Sequence, residues 1–262
     1  LIAEIHNKIS HTGSNLSDRL EDQLTGDFFG AIRYLPFQQG LKHVLAAVRF
    51  EDDVQAPDSS WRKLLDSIQD FDYTLHFWPR HAEGEIDLII DHPEVVIGIE
   101  VKYYSGISSD DEDLKEVSPE ASRHQLARYA KMLEDIRNGR PAYLVFLAPF
   151  GVLLPVEADI KSRAIIPLGI HLGFLAWQNV LEQIQTVDTA SCDRGQQMII
   201  RDLTDLLKKK GFERFRGFLT GEVRQLTTLE QVYTFKAKAH EYQNMIWPTK
   251  TAIKEEHCVF NK

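Results

Sequence analysis

Asp87, Glu100 and Lys102 have the types and the spacing for metal-assisted chemistry. Glu100 and Lys102 stand two apart in the apolar run "EVVIGIEVKYY" (94–104), so on a strand they share a face with Val96 and Gly98. Val95, Ile97, Ile99 and Val101 take the other face. The run before it, "EIDLIID" (85–91), reads as a second strand, and Asp91-His92-Pro93 reads as a tight turn joining the two into a hairpin. Directly opposed residues of an antiparallel pair point to the same side. Asp87 therefore falls opposite Gly98 or Glu100, depending on loop length, with Ile86, Leu88 and Ile90 turned to the apolar face. Either register sets two carboxylates roughly 5–8 Å apart beside a lysine, on a surface that Gly98 is expected to leave open.

Close carboxylates repel each other, and burial makes each charge costlier. A divalent cation resolves that conflict. Oxygen-only donors, with waters or phosphate completing an octahedron, describe Mg²⁺ better than zinc, with Mn²⁺ expected to substitute. Lys102 would then orient or deprotonate a water, or stabilise charge developing on a phosphate. The competing reading is a Glu100–Lys102 salt bridge at a sheet edge, with Asp87 a turn-proximal acid.

The elements that must position these residues are legible as periodicities. Leu16, Leu20, Leu24, Phe28, Ile32 and Leu35 recur at helical steps over 14–35, capped at Ser14 or Asn15 and stopped by Pro36. Helical stretches follow near 40–50 and 61–68. Strand-like runs occupy 73–79, 85–91, 94–103, 141–149 and 171–177. Between them, 105–118 reads as a strongly acidic loop and 119–137 as a helix with Pro119 in its first turn, ending at Asn138-Gly139. A helix at 178–186 follows the last strand, with further helices near 195–209 and 226–243. The order predicts an α/β fold, a mixed central sheet sandwiched by helices over 1–190, with a mainly helical C-terminal extension over 191–262.

Composition bounds the setting. The 262 residues carry a formal charge of −9, which excludes a generally basic nucleic-acid coat but leaves room for a local basic groove. Cys192 and Cys258 are far apart, so a disulfide framework or zinc site is not expected and a reducing cytoplasm is. No apolar run is long enough to span a membrane, and no signal peptide is visible. The chain begins at Leu1 rather than methionine, so residues upstream are expected.

"GEIDLII" (84–90) followed by "IEVKY" (99–103) resembles the core of the PD-(D/E)xK nuclease superfamily. "RHQLARY" (123–129) resembles the QxxxY element of its RecB-like branch. "LEDQLTGDFFGAIRYLP" (20–36) resembles the N-terminal helix that brings a further acid in many members. The resemblance spans about residues 15–180, with the elements in the family's order. It implies a restriction-endonuclease-like α/β/α core and metal-dependent hydrolysis of phosphodiester bonds, most simply in DNA, in defence, restriction or repair. It implies Asp87 and Glu100 as metal ligands assisted by the Val101 carbonyl, Lys102 as the catalytic lysine and Glu21 as the helix acid, with Asp22 its substitute if the helix phase differs. Gln125 and Tyr129, four apart on one helical face, would orient Lys102 or contact a phosphate. Ile86 stands where the motif's name has proline. The alternative is a catalytically silent nuclease fold that binds nucleic acid or scaffolds a complex.

Backbone contacts are expected from Arg123 and Arg128, whose guanidinium groups match phosphate geometry. His124 reads as a surface histidine or a phosphate contact. "KKKGFERFRGF" (208–218) interleaves Lys208, Lys209, Lys210, Arg214 and Arg216 with Phe212, Phe215 and Phe218, which suits phosphates and bases; a cationic helix end followed by a glycine stop explains the lysines equally well. The acidity of the chain suggests that a homodimer or a protein partner supplies part of the grip on DNA. The acidic run 110–116 reads as a solvated loop or a regulatory lid.

Overall fold

The structure, a computed structural model, describes residues 2–6, 8, 16–50, 57–111 and 118–214. In chain order these form α1 (Ile2–Ile5), α2 (Leu16–Ile32), α3 (Leu41–Leu45), β1 (Arg49–Phe50), α4 (Pro57–Ser67), β2 (Thr74–Phe77), β3 (Arg80–His81), β4 (Gly84–Glu85), β5 (Leu88–His92) and β6 (Val95–Val101). There follow α5 (Gln125–Ile136), β7 (Ala142–Ala148), α6 (Phe150–Arg163), β8 (Ile170–Ala176), α7 (Trp177–Ile184) and α8 (Arg194–Lys209).

The central sheet has six strands in the order β1-β8-β7-β6-β5-β2. β6, β7 and β8 run parallel, joined by α5 and α6, while β5, β2 and β1 pair antiparallel. β6 lies mid-sheet and is buried along its whole length, as a strand covered on both faces must be. One face packs Leu88, Ile97, Ile99 and Val101 under α2, α4, α7 and α8; the other packs Val96, Leu144 and Phe146 under α5 and α6. The protein is therefore a mixed α/β fold with helices on both sides of the sheet. Among the described residues, no helix is long and apolar enough to cross a membrane.

Several expectations need correction. No element was expected between 149 and 171, yet α6 occupies Phe150–Arg163; Pro155 inside it removes a helical donor, which made the stretch read as interrupted. α5 begins at Gln125 rather than 119, because Ser118–Ser122 closes its own turn and Asp111 holds Ser122 and the Arg123 N–H. The segment expected as helix over 40–50 ends as β1, whose pairing with Gly173 and Phe174 depends on a distant strand. The hairpin turn lies one step later, at Pro93-Glu94, with Asp91 and His92 still in β5. Of the expected 191–262 extension, residues 191–214 are described. They include α8, which coincides with the first helix anticipated there and packs against α2 and α7; the helix anticipated at 226–243 lies outside the described residues.

Candidate functional site

The hairpin register resolves the two choices left by the sequence. Leu88 pairs with Ile99 and Ile89 with Gly98, so one further step sets Asp87 across from Glu100. Gly98 is not an opening. A Cβ there would meet Ile86 Cδ1 at 2.9 Å and Leu133 Cδ1 at 3.0 Å, so glycine lets those side chains close over the strand. Ile86 accordingly packs with Val96 and Leu133 on the α5 side, not with Leu88 and Ile90.

Asp87 is clamped from two directions. Its Oδ1 accepts from Trp78 Nε1 at 3.2 Å and its Oδ2 from the Val101 N–H at 2.8 Å. Trp78 adopts a left-handed φ of 47°, rare for so bulky a residue. Its own N–H donates to the Asp87 carbonyl, so the strained residue and the acid hold each other.

Lys102 follows β6 directly. Its N–H donates to Leu147 and its carbonyl accepts from Trp177 Nε1, fixing the backbone from both sides. The ammonium lies 2.8 Å from Glu100 Oε1 and 3.1 Å from Glu21 Oε1. The other Glu21 oxygen accepts from the Tyr103 N–H at 2.9 Å and Ser105 Oγ at 2.6 Å. As arranged, Glu21 braces the lysine and the chain beyond it.

Gln125, with Tyr129 behind it, reaches Glu100 rather than Lys102. Gln125 Nε2 donates to Glu100 Oε1 at 2.7 Å and to the Tyr129 hydroxyl at 3.2 Å; that hydroxyl donates to the Glu85 carbonyl at 2.7 Å. Gln125 Oε1 accepts from the Ser108 N–H, tying the loop after β6 to α5. His124 is buried, not a surface group, and caps α5 by accepting from the Leu126 N–H. Burial holds its imidazole below the usual histidine range.

These groups line a cavity of about 410 Å³ together with Asp22, Glu85 and Lys8. Burial pushes the carboxyl groups of Glu100 and Asp87 up; Asp87 adds its repulsion to Glu100, which lies well above the usual range. Lys102 is desolvated too, yet the charges of Glu100, Glu21 and Asp87 win and raise it above the ordinary lysine value. Burial, with repulsion from Asp87 and Glu21, pushes Asp22 up to about 6 even though Lys8 opposes the rise. Lys8 sits 2.5 Å from Glu85 and 3.6 Å from Asp22. α1 reaches this corner because Gly26 of α2 lets the Ala3 backbone approach to within 2.9 Å of where a Cβ would sit. His6 then packs at a tilt against Phe77 and Trp78.

Asp87 and Glu100 suit a hard divalent ion. They are oxygen donors in a buried pocket whose demand for positive charge is met only in part by Lys102. The backbone of Val101 lies between them, its amide already given to Asp87. Among the described residues, the acidic group whose ligand atoms all lie within 4.8 Å of one another is elsewhere: Asp110, His124 and Asp159. Arg163 bonds both of those aspartates, at 2.7 and 2.9 Å, and also Asp111, so the cluster already holds its cation.

The expected phosphate contacts are dispersed. Arg123 and Arg128 do not line the cavity, and Arg128 lies 3.9 Å from Glu83. Lys209 is exposed at the end of α8, and Lys210 places its ammonium 5.0 Å over the Tyr103 ring. Arg214 lies over Phe150 and pairs with Glu182. Phe212 is core, stacked on Trp177 at 10°, and is no platform for bases. Arg216 lies outside the described residues.

No family model, curated protein or solved structure matches this chain. Its function has to be read from the cavity itself. Lys8, Glu85, Ser105 and Trp78 were not singled out from sequence. Lys8 meets Glu85 across 77 residues with no local pattern to announce it.

Proposed function

We propose that this chain is a Mg²⁺-dependent nuclease that hydrolyses phosphodiester bonds, with DNA as its substrate, on a restriction-endonuclease-like core of the PD-(D/E)xK type. The observation that carries this reading is the meeting of Asp87, Glu100 and Lys102 in one cavity, with Gln125 and Tyr129 of α5 behind Glu100. A divalent ion held by Asp87 and Glu100 would supply the positive charge that activates water and offsets the phosphate.

The chain's own groups do the positioning. Trp78 and the Val101 amide hold Asp87 in one rotamer, and Gln125 holds Glu100. In the metal-free site the charges of Glu100, Glu21 and Asp87 hold Lys102 protonated, which suits it to orient water and stabilise negative charge on the phosphate. Glu21 keeps that ammonium aimed into the cavity.

Cleavage of supercoiled plasmid, linear duplex, single-stranded DNA and RNA, with Mg²⁺ or Mn²⁺, tests the reading against Lys102→Ala and Asp87→Asn. Metal-dependent cutting should fall about 10²–10³-fold or more in each variant, with folding checked by circular dichroism. Metal binding without cutting of any polymer would favour a catalytically silent subunit. A wild-type protein that neither binds the ions nor cuts would overturn the proposal.

A further inference from the structure

We infer that α8 carries a track for the backbone of duplex DNA, formed by Arg194, Arg201 and Lys208. This deepens the nuclease reading and rests on it. The three cations recur at intervals of seven, so they form a nearly straight row on one side of the helix, spanning roughly 21 Å. All three are exposed, and among the described residues no ion pair involves any of them. They line a groove of about 730 Å³ between α8 and the end of α7, where Gln185, Gln197 and Thr204 add polar groups and Asp205 is the single acid.

Helix stability does not account for the row. Lys208 suits the negative end of the helix dipole, but Arg194 occupies the first turn, where a cation is disfavoured. Arg201 lies mid-helix, where the dipole has no effect. A chain of net charge −9 that collects three unpaired cations on one groove complements a polyanion.

The helix is also tied to the strand of the proposed site. Beyond Lys208, the Lys210 ammonium lies over Tyr103 and its carbonyl accepts from the Tyr103 hydroxyl at 3.4 Å. Tyr103 directly follows Lys102. The helix that carries the row is thus tied at its C-terminal end to the residue after Lys102. A straight row of this length matches roughly six base-pair rises of a stiff duplex, whereas a single strand would require no such alignment.

The test is the binding of a fluorescein-labelled 30-base-pair duplex in EDTA, followed by anisotropy across a salt series. Wild type is compared with the Arg194→Gln/Arg201→Gln/Lys208→Gln triple variant. A control triple, Arg62→Gln/Lys63→Gln/Lys161→Gln, removes the same charge away from this groove. The track variant should bind at least tenfold more weakly than the control, with the slope of log K against log salt reduced by about 2 to 3. Equal losses in the two triples would overturn the track while leaving the nuclease reading intact. A selective loss alongside absent metal-dependent cleavage would support the track and sink the nuclease reading. No duplex binding by wild type at low salt, or a greater loss on single strands or RNA than on duplex, would overturn the proposal.

Discussion

Gln125 Nε2 donates to Glu100 Oε1 at 2.7 Å, joining the first turn of α5 to the buried acid of β6. The same side chain accepts from Ser108, so one amide fixes both the acid and the cavity wall. Gln125→Leu removes a buried partner and should cost about 1–3 kcal/mol in urea unfolding, with metal affinity or turnover falling about 10–100-fold. Gln125→Glu places a third carboxylate beside Glu100 and should be the worse of the two. Equal activity in both variants would show that the amide only fills space.

The buried acids give the metal-free protein an unusual pH response. Glu100 and Asp87 hold protons above the ordinary carboxylate range, so above that range the folded state binds more protons than the unfolded chain. Stability from these groups is present at low pH and is lost as pH rises through the raised values. His124 acts in the opposite sense, since its imidazole resists the proton that the unfolded chain takes up. The clean measurement is therefore a difference. In EDTA, the melting temperature of Glu100→Gln relative to wild type should climb between pH 5 and pH 8. A flat difference would mean that the pair is ionised at neutral pH without a metal.

Lys8 sets a second expectation. Its ammonium neutralises Glu85 and Asp22 at the rim of the cavity, and its field reaches Asp87. Lys8→Ala should bind Mn²⁺ several-fold more tightly in calorimetry, because a positive charge that repels the ion has gone; Lys8→Arg should behave as wild type. Unchanged affinity in Lys8→Ala would show that the rim and the inner acids are electrostatically separate.

Gly98 offers a packing test. Adding a methyl group presses on Ile86 and Leu133, so Gly98→Ala should cost about 1–3 kcal/mol by overpacking. Ile86→Val removes the nearer obstructing atom and should recover part of that loss in the double variant, read as a coupling in chemical denaturation. Strict additivity would place the strain elsewhere.

The hairpin was legible because alternation and a turn signal confine Asp87 to two registers, and both put the three groups on one face. α2 was legible from its leucine and phenylalanine steps. What escaped had no local signature. Lys8 arrives through α1, the left-handed Trp78 is explained only by the acid it clamps, and α6 was hidden by Pro155. Phe212 sits among lysines and arginines in the sequence, yet packs on Trp177 and Tyr103 in the core. Its neighbours suggested a nucleic-acid surface; of those cations Lys208 lines the groove, joined there by Arg194 and Arg201 of α8, for which heptad spacing was the only mark.

Asp111 accepts from the Arg123 N–H at 2.6 Å and from Ser122 Oγ at 2.8 Å, and Arg163 clasps Asp110 and Asp111 from α6. Asp111, three residues past the cavity wall at Ser108, is thus pinned to Ser122 and Arg123, and Gln125 takes its place from that junction. For protein engineering the junction is a rivet: Asp111→Ala unfastens the approach to α5 and should loosen the cavity wall without touching an acid inside it.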